Sequence, residues 1–252
     1  KRTYYRYEDE NFNIAKRPLN FQEIEYLKQA LFTLNRMNNT KGFEWTNSLQ
    51  TKLYSELDLG KNNTKIIDFE ENEFLKGLHF LYPLYQFICN QQSLEISYKS
   101  FQNSEIKKYI LSPHYLKQYN NRWFLLSTGH GHQKVFTLAI DRIVSVEISK
   151  ETYISTQMDF SEYFREIIGI TNYQENELET VVIQVETNII PYLESKPLHI
   201  SQKIEDNLLS LKLKLNFELE GLILSYGENM KVLQPNSLAQ KLKERIKKMQ
   251  KN

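Results

Sequence analysis

Basic and aromatic side chains concentrate in the middle of the chain. Between Tyr98 and Arg142 there are seven Lys or Arg residues, two acidic residues and three histidines, so this segment is positively charged. The aromatic residues interleaved with the basic ones include Tyr98, Tyr115, Tyr119, Trp123 and Phe124. Cationic side chains bind phosphates and aromatic rings stack on bases, so this composition suits single-stranded nucleic acid or a phosphorylated small ligand.

Six residues of this segment are candidate effector ligands: Tyr98, His114, Lys117, Arg122, Trp123 and Arg142. Several of them have a structural alternative that the sequence leaves open. Aromatic residues are more often buried than bound to a ligand, so core packing competes for Trp123. For Arg122 and Arg142, the alternative to ligand contact is a structural pairing of Arg142 with Asp141 or another carboxylate. A structural hydrogen bond is the alternative for His114.

The remaining chemistry-bearing residues predict neither a metal site nor an enzyme. His130 and His132 share a loop, but Asp141 is the one nearby carboxylate, so a metal site there is incomplete. Cys89 is the only cysteine, which excludes disulfides within the chain and cysteine-ligated zinc. The chain has no H-E-x-x-H motif, no serine elbow and no glycine-rich phosphate loop. We therefore expect no cofactor, no metal and no catalysis.

The composition is that of a folded protein without a membrane segment. The 252 residues include 32 Lys or Arg and 31 Asp or Glu, so the net charge of +1 offers no general attraction to nucleic acid. No apolar run reaches the roughly 18 to 20 residues that a bilayer span requires, and the first residues do not form a signal peptide. A cytoplasmic protein is predicted. The missing initiator Met indicates a fragment of a longer chain.

The elements that would position these residues fall into three regions, which predict an α+β protein. Residues 1–80 read as helical, because Phe21, Ile24, Leu27, Leu31 and Leu34, and later Trp45, Leu49, Leu53 and Leu57, are spaced three or four apart. A further helix is predicted over 83–91. From Ser93 the pattern changes to short β-rich runs, which with this helix make up residues 81–158: LEISYK, KKYILS, YLKQY, RWFLLST, VFTLAI and IVSVEI. Such runs predict a small barrel of the Sm or SH3 type, with Asn120-Asn121 as a hairpin turn.

Residues 159–252 predict a second domain. SEYFREIIG reads as a short helix, followed by strand TVVIQVE, helix NIIPYLES with Asn188 as a possible cap, and strands PLHISQKI and LLSLKLKLN. Helix ELEGLILSYG, strand MKVLQP and a helix from Ser237 complete the chain. The order βαββαβ plus a terminal helix predicts a ferredoxin-like domain.

Residues 111–148 resemble the WYL domain of bacterial transcriptional regulators. The Trp-Tyr-Leu triplet of that family corresponds to Trp123-Phe124-Leu125, and the spaced motifs ISY at 96–98, Asn-Arg before Trp123 and IDRI at 140–143 agree with it in order. Phe124 and Ala139 depart from the family, because Tyr and often Arg stand there in its members.

The resemblance implies the effector-sensing and dimerisation part of a DNA-binding transcription regulator. In this family a winged helix-turn-helix commonly precedes a helical linker, the WYL barrel and a C-terminal extension. We therefore expect a DNA-binding domain before residue 1, an effector that is nucleic acid or a nucleotide-like anion, and a homodimer. The alternative is a single-strand-binding accessory protein of a defence or DNA-repair system.

Overall fold

The computed structural model describes residues 22, 23, 26, 27, 75–101, 105–131 and 134–251. The chain divides into two units, Lys1–Glu73 and Phe74–Asn252. In the first unit, the four described residues are helical. The rest of the helices predicted before residue 60 lies outside the described residues. The second unit contains two antiparallel sheets.

The first sheet follows a helix and has five strands. Helix α1 (Leu81–Cys89) buries Leu81 and Leu84 and packs on β2, and Pro83 lies in its first turn, where a missing N–H is tolerated. The strands are β1 (Leu94–Lys99), β2 (Ile106–Tyr119), β3 (Arg122–Gly129), β4 (Val135–Ala139) and β5 (Ile143–Ile148). Their order across the sheet is β4-β3-β2-β1-β5. The predicted helix over 83–91 therefore exists, two residues earlier in the chain.

Strand β2 is one strand of 14 residues, so the prediction of two strands, KKYILS and YLKQY, was wrong. Pro113 lies inside it, and the pairing with β3 shifts between Pro113 and Tyr115. This bulge accommodates the proline, which has no N–H for the ladder. The predicted hairpin turn is confirmed, because Tyr119 pairs with Arg122 and both Asn120 and Asn121 have positive φ.

The first sheet is strongly curled. Strands β4 and β5 lie at its opposite edges, yet the 3₁₀ turn Ile140–Arg142 alone connects them. Four strand spacings would separate the edges of a flat sheet by about 19 Å, whereas four residue steps reach about 14 Å at most. The sheet must therefore bend to bring its edges together at this turn. No β4–β5 ladder closes the sheet within the described residues, so the predicted Sm-like barrel is not confirmed.

A short helix covers the face of the first sheet that carries Leu126. Helix α2 (Phe160–Arg165) begins at Asp159, whose Oδ1 accepts hydrogen bonds from the backbone N–H groups of Ser161 and Glu162. Leu126, Tyr163 and Ile170 form a buried cluster between this helix and β3. Leu125 and Leu126 are both fully buried. Strand β3 is therefore covered on both of its faces.

The second sheet has the order β7-β8-β6-β9. Its strands are β6 (Glu179–Val185), β7 (Lys203–Glu205), β8 (Leu208–Leu213) and β9 (Met230–Gln234), and its helices are α3 (Ile190–Ser195), α4 (Phe217–Ser225) and α5 (Asn236–Met249). Alternate residues of β6 and β8 form one core with Leu193 of α3, Leu219 of α4 and Leu238 of α5. The predicted order of elements is present. The ferredoxin-like classification stays a prediction.

Two predictions in the second domain were wrong in detail. In the predicted strand PLHISQKI, only the last two residues, Lys203 and Ile204, lie in a strand, which is Lys203–Glu205. The preceding residues turn back instead, because Gln202 accepts a hydrogen bond from the Leu198 N–H at 2.8 Å and donates one to the Leu193 carbonyl at 2.7 Å. Asn188 does not cap α3, because it lies within a 3₁₀ turn, Thr187–Ile189.

Within the described part of the chain, the helices are too short or too polar to cross a bilayer.

Candidate functional site

The 3₁₀ turn Ile140–Arg142 brings two candidate arginines to one place. Phe124 pairs with Ala139 across β3 and β4, so Arg122, two residues before Phe124, meets Asp141, two residues after Ala139. Tyr98 pairs with Ile143 across β1 and β5, which places Arg142 beside Tyr98. The site therefore forms at the turn that joins the two edges of the curled sheet.

Both guanidinium groups lie over the same aromatic ring. Cζ of Arg142 lies 4.3 Å from the centroid of the Phe101 ring, and Cζ of Arg122 lies 6.0 Å from it. Phe101 is 72% exposed although it is a large apolar residue. A cation over an aromatic face is attracted by the ring quadrupole. We call Tyr98, Phe101, Arg122, Asp141 and Arg142 the arginine site.

The two arginines are neutralised to different extents. Nη2 of Arg122 donates to Oδ2 of Asp141 at 2.5 Å, and the Asp141 side chain is 12% exposed. Arg142 makes no ion pair with any described residue, and its buried Nε has no hydrogen-bond partner there. The carboxylate of Asp141 pairs with Arg122 and not with Arg142, so the pairing of Arg142 with Asp141 considered from the sequence is wrong. Among the described residues, one positive charge of the arginine site has no carboxylate partner.

Tyr98 interacts with Arg142. Burial raises the pKa of Tyr98 above its usual value, while the charge and hydrogen bonding of Arg142 lower it in part. The phenol is therefore protonated at neutral pH and can donate a hydrogen bond. Its ring lies 6.5 Å from that of Tyr109 in an edge-on arrangement, and Tyr109 lies 5.9 Å from Phe136. An aromatic row thus leads away from the guanidinium groups.

Gly77 packs against the backbone of the 3₁₀ turn Ile140–Arg142. Its φ is +81°, and a Cβ there would lie 2.5 Å from the carbonyl oxygen of Ile140 and 2.9 Å from Cα of Asp141. Only glycine allows the backbone to approach the turn this closely. The position of Asp141 and Arg142 therefore depends on a residue outside the basic segment.

Two other candidates, Lys117 and His114, lie elsewhere. Nζ of Lys117 lies 4.3 Å from the centroid of the Phe164 ring in the segment of α2. His114 lies between Tyr153 and Thr128, with its ring nitrogens 2.8 Å from each hydroxyl oxygen. Neither side chain contacts the arginine site among the described residues. His114 makes the structural hydrogen bonds that were the alternative to ligand binding in the sequence analysis.

The hydrogen bonds of His114 indicate its tautomer. The Tyr153 hydroxyl donates to the carbonyl of Pro113 at 2.8 Å, so its oxygen accepts from Nδ1–H of His114. Nε2 is then the acceptor for the Thr128 hydroxyl. Burial lowers the pKa of His114 from its usual value, which agrees with a neutral ring. These hydrogen bonds hold Tyr153, which follows β5, against Pro113 and His114 of β2.

The Trp-Phe-Leu triplet contributes mainly to packing. Trp123 is half-buried rather than part of the fully buried core, and Leu125 is fully buried. Phe124 packs against the cluster of Leu126, Tyr163 and Ile170. Trp123 is adjacent in sequence to Arg122 but has no hydrogen bond or ring contact with the described residues of the arginine site. Phe124 has no hydroxyl group and contributes an apolar ring to the cluster under α2.

The loop histidines do not form a metal site with the described residues. Nε2 of His130 lies 3.0 Å from Oγ of the buried Ser93, and its Nδ1 lies 4.0 Å from the Glu151 carboxylate. His132 lies outside the described residues. Across the described residues, no three metal-ligating side chains are grouped together.

Sequence reasoning missed Phe101 and Gly77. Phe101 follows β1 in the polar segment KSFQNSE, where an aromatic residue has no apolar pattern to place it in a core. Its isolation in that segment was the available signal. Gly77 precedes α1, and its close approach to Ile140 depends on tertiary contact, for which the sequence contains no local signal.

The domains match two known families. Residues 79–148 match the WYL domain, which confirms the resemblance, and residues 177–250 match the WCX domain. The chain therefore contains a WYL domain with the first sheet and a WCX domain with the second.

Two solved structures are similar to this chain. Proteasome accessory factor B/C (PafBC) of Arthrobacter aurescens is 16% identical with a TM-score of 0.31, over 69% of this chain and 27% of that one. A CRISPR Cas-related protein is 11% identical with a TM-score of 0.48, over 69% of this chain and 51% of that one. The chain thus spans about a quarter and about half of their lengths. A comparison with curated proteins found no match.

Proposed function

We propose that this chain is the effector-sensing and dimerisation part of a WYL-family transcription regulator, whose effector is nucleic acid or a nucleotide-like anion. The arginine site carries this proposal. Two guanidinium groups converge there on an exposed aromatic ring, and in the described part of the chain one carboxylate, that of Asp141, pairs with one of them. The chemistry is that of phosphate binding beside a stacking surface, and the proposal assigns no catalytic step.

The order of domains supports a regulatory role. A WYL domain followed by a WCX domain agrees with the arrangement expected for this family of regulators, in which DNA binding belongs to a separate N-terminal domain. Under the proposal, effector binding at the arginine site changes the affinity of that domain for its operator. Such coupling is reciprocal, so operator DNA changes the affinity for the effector by the same factor.

The salt dependence of binding tests the site. A fluorescently labelled thymidine dodecamer should bind with an affinity that falls steeply with salt, because each neutralised phosphate of a single strand contributes about −0.7 to the slope of log K against log salt. Arg142→Gln should weaken binding and make the slope shallower by about 0.7. Lys247→Gln on α5 removes the same charge from an exposed position of the WCX domain and should change neither.

Asp141→Asn should act in the opposite direction. Removing the carboxylate frees Arg122 and should tighten binding about 5-fold, since a unit charge at 4 Å in water contributes about 1 kcal/mol. Fluorescence anisotropy measures both variants. Binding that is independent of salt, or no binding at micromolar protein, would exclude nucleic acid as the effector.

The regulatory part is tested in the whole protein that contains this chain. A saturating oligonucleotide should change operator affinity in a gel-shift titration, and Arg142→Gln should abolish that change while operator binding without effector stays the same. An operator affinity that does not respond to any single strand or nucleotide would contradict the regulatory role.

A further inference from the structure

The WCX domain contains a cavity of about 570 Å³ between α4, α5 and β9. Met230 of β9 and Ile223 of α4 line this cavity, and both side chains are buried. Its volume lies within the range of roughly 300 to 1,000 Å³ that is typical of small-molecule sites, whose walls are also mostly apolar. All of its described lining residues belong to the WCX domain, so the cavity is separate from the arginine site.

Helix α5 lines the cavity with one of its faces. Leu242, Ile246 and Met249 line it and are spaced four and three residues apart, so they lie on the same side of the helix. Leu242 is buried, whereas Ile246 is 44% exposed and Met249 is 67% exposed. The apolar face of α5 therefore extends from the domain core to the solvent, and a ligand in the cavity would cover its exposed part.

The charged side chains of the cavity favour an anion. Lys231, Lys243 and Glu228 line it and give its lining a net charge of +1. None of the three forms an ion pair with a described residue, whereas Glu220 of α4 pairs with two other cations of α5. A lysine side chain can lay its apolar stem along an apolar wall and keep its ammonium group in water. The cavity therefore suits a ligand with an apolar body and one negatively charged head.

We propose that this cavity binds an amphipathic carboxylate of the medium-chain fatty acid class. The acyl chain lies against Met230, Ile246 and Met249, and the carboxylate lies at Lys243, three residues before Ile246 on α5. Methionine side chains are flexible and polarizable, so they adapt to an irregular acyl chain. The competing occupant is a second copy of this chain, but stable protein interfaces bury about 1,600 Å² in total, far more than one small cavity provides. The proposal does not depend on the function proposed for the arginine site.

A titration with sodium decanoate, kept below its micelle concentration, tests the cavity. The chain is isotopically labelled in its methionine methyl groups and followed by nuclear magnetic resonance. The signals of Met230 and Met249 should shift together and saturate, while that of Met158, which packs on the cluster under α2, should not move. Octanoate should bind about 15-fold more weakly, because each of the two missing methylene groups contributes about 4-fold when buried.

Variants test the head group and the apolar wall separately. Lys243→Gln should weaken decanoate binding about 5-fold, the effect of a unit charge at about 4 Å in water, and should leave the binding of decanol unchanged. Ile246→Glu should abolish decanoate binding, because its carboxylate interrupts the apolar wall and repels the ligand. Leu208→Glu is the matched control, since Leu208 is also 44% exposed but does not line the cavity. It should bind decanoate like the original chain.

Three results would overturn the proposal. The first is the absence of a saturable shift of Met230 and Met249 with decanoate. The second is equal binding of decanol and decanoate, or an unchanged affinity in Lys243→Gln, because the cavity would then not select an anion. The third is a shift of the same two signals when the protein alone is diluted, which would show that a second copy occupies the cavity.

Discussion

At the scale of single residues, the two arginines are not equivalent. Arg122 is held by Asp141, whose other oxygen, Oδ1, is buried without a partner among the described residues. Removing Arg122 would therefore leave a partly buried carboxylate unpaired, which costs about 1–3 kcal/mol. Removing Arg142 leaves no described carboxylate without its partner. A substitution of Arg142 should therefore change the effector affinity with less effect on the free energy of unfolding than a substitution of Arg122.

His114 makes stability depend on pH. Burial lowers its pKa from the usual 6.5, so the unfolded state binds the proton more tightly than the folded state. The free energy of unfolding should fall as pH drops below about 6.5, until the pKa of the folded state is passed. In His114→Gln this part of the decline should be absent, as measured by urea unfolding between pH 5 and 8.

Tyr153→Phe separates titration from hydrogen bonding. It removes the hydroxyl that His114 contacts at 2.8 Å but keeps the imidazole. Tyr153→Phe should lower the free energy of unfolding throughout pH 5 to 8, but the decrease of that free energy with falling pH should remain. Equal pH slopes in the original chain and His114→Gln would show that His114 does not contribute.

At the scale of elements, the 3₁₀ turn Ile140–Arg142 is the part that builds the site. It joins the two edge strands of a curled sheet and carries both Asp141 and Arg142. A turn of three residues has little backbone of its own to hold it, so its position depends on neighbours. Gly77 is the neighbour that approaches its backbone most closely among the described glycines.

Gly77→Ala and Gly131→Ala form a matched pair. Both residues have φ of +81°, so both alanines bear the left-handed cost of about 1–2 kcal/mol. A Cβ at Gly131 meets nothing within 4 Å, whereas one at Gly77 meets the backbone of the turn. Gly77→Ala should therefore be the less stable variant in urea unfolding and should alone weaken oligonucleotide binding. Equal effects would show that the close contact is not required.

At the scale of the whole molecule, hydrogen bonds join the WCX domain to residues 168–171, which follow helix α2 on the first sheet. Oε1 of Glu218 in α4 accepts from Thr171 N–H at 3.1 Å and from its hydroxyl at 2.9 Å. Asn216 donates to the carbonyls of Ile168 at 2.7 Å and Thr171 at 2.8 Å. Burial raises the pKa of Glu218 above its usual value, so this contact involves a desolvated carboxyl. These bonds provide a physical connection between the two sheets.

The proposed regulator should be a dimer. We expect the apolar faces of the helices predicted before residue 60 to need a second chain to cover them, and a dimer matches an operator with two-fold symmetry. Light scattering at tens of micromolar should give twice the 30.1 kDa chain mass. Leu31→Glu, on the predicted apolar face, should shift the mass toward the monomer, whereas Gln29→Glu on the opposite face should not. A monomer for the original chain would contradict the prediction.

The sequence by itself determined local structure and domain type. Alternating apolar residues predicted the strands, because side chains of a strand point to opposite faces in turn. Asn120-Asn121 predicted its hairpin, since asparagine tolerates positive φ. The spaced motifs around Trp123 predicted the WYL domain, and Arg122 and Arg142 were among the candidate ligands.

The tertiary structure decided which candidates meet. Tyr98 and Phe101 are distant in sequence from Arg122 and from Arg142, and the three segments converge because the strand registers and the curl of the sheet bring β1, β3 and the β4–β5 turn together. His114 and Lys117 lie in the same basic segment, but β2 directs them to other partners. Neighbours along the chain are set by local periodicity, whereas neighbours across a sheet depend on pairing that no single segment specifies.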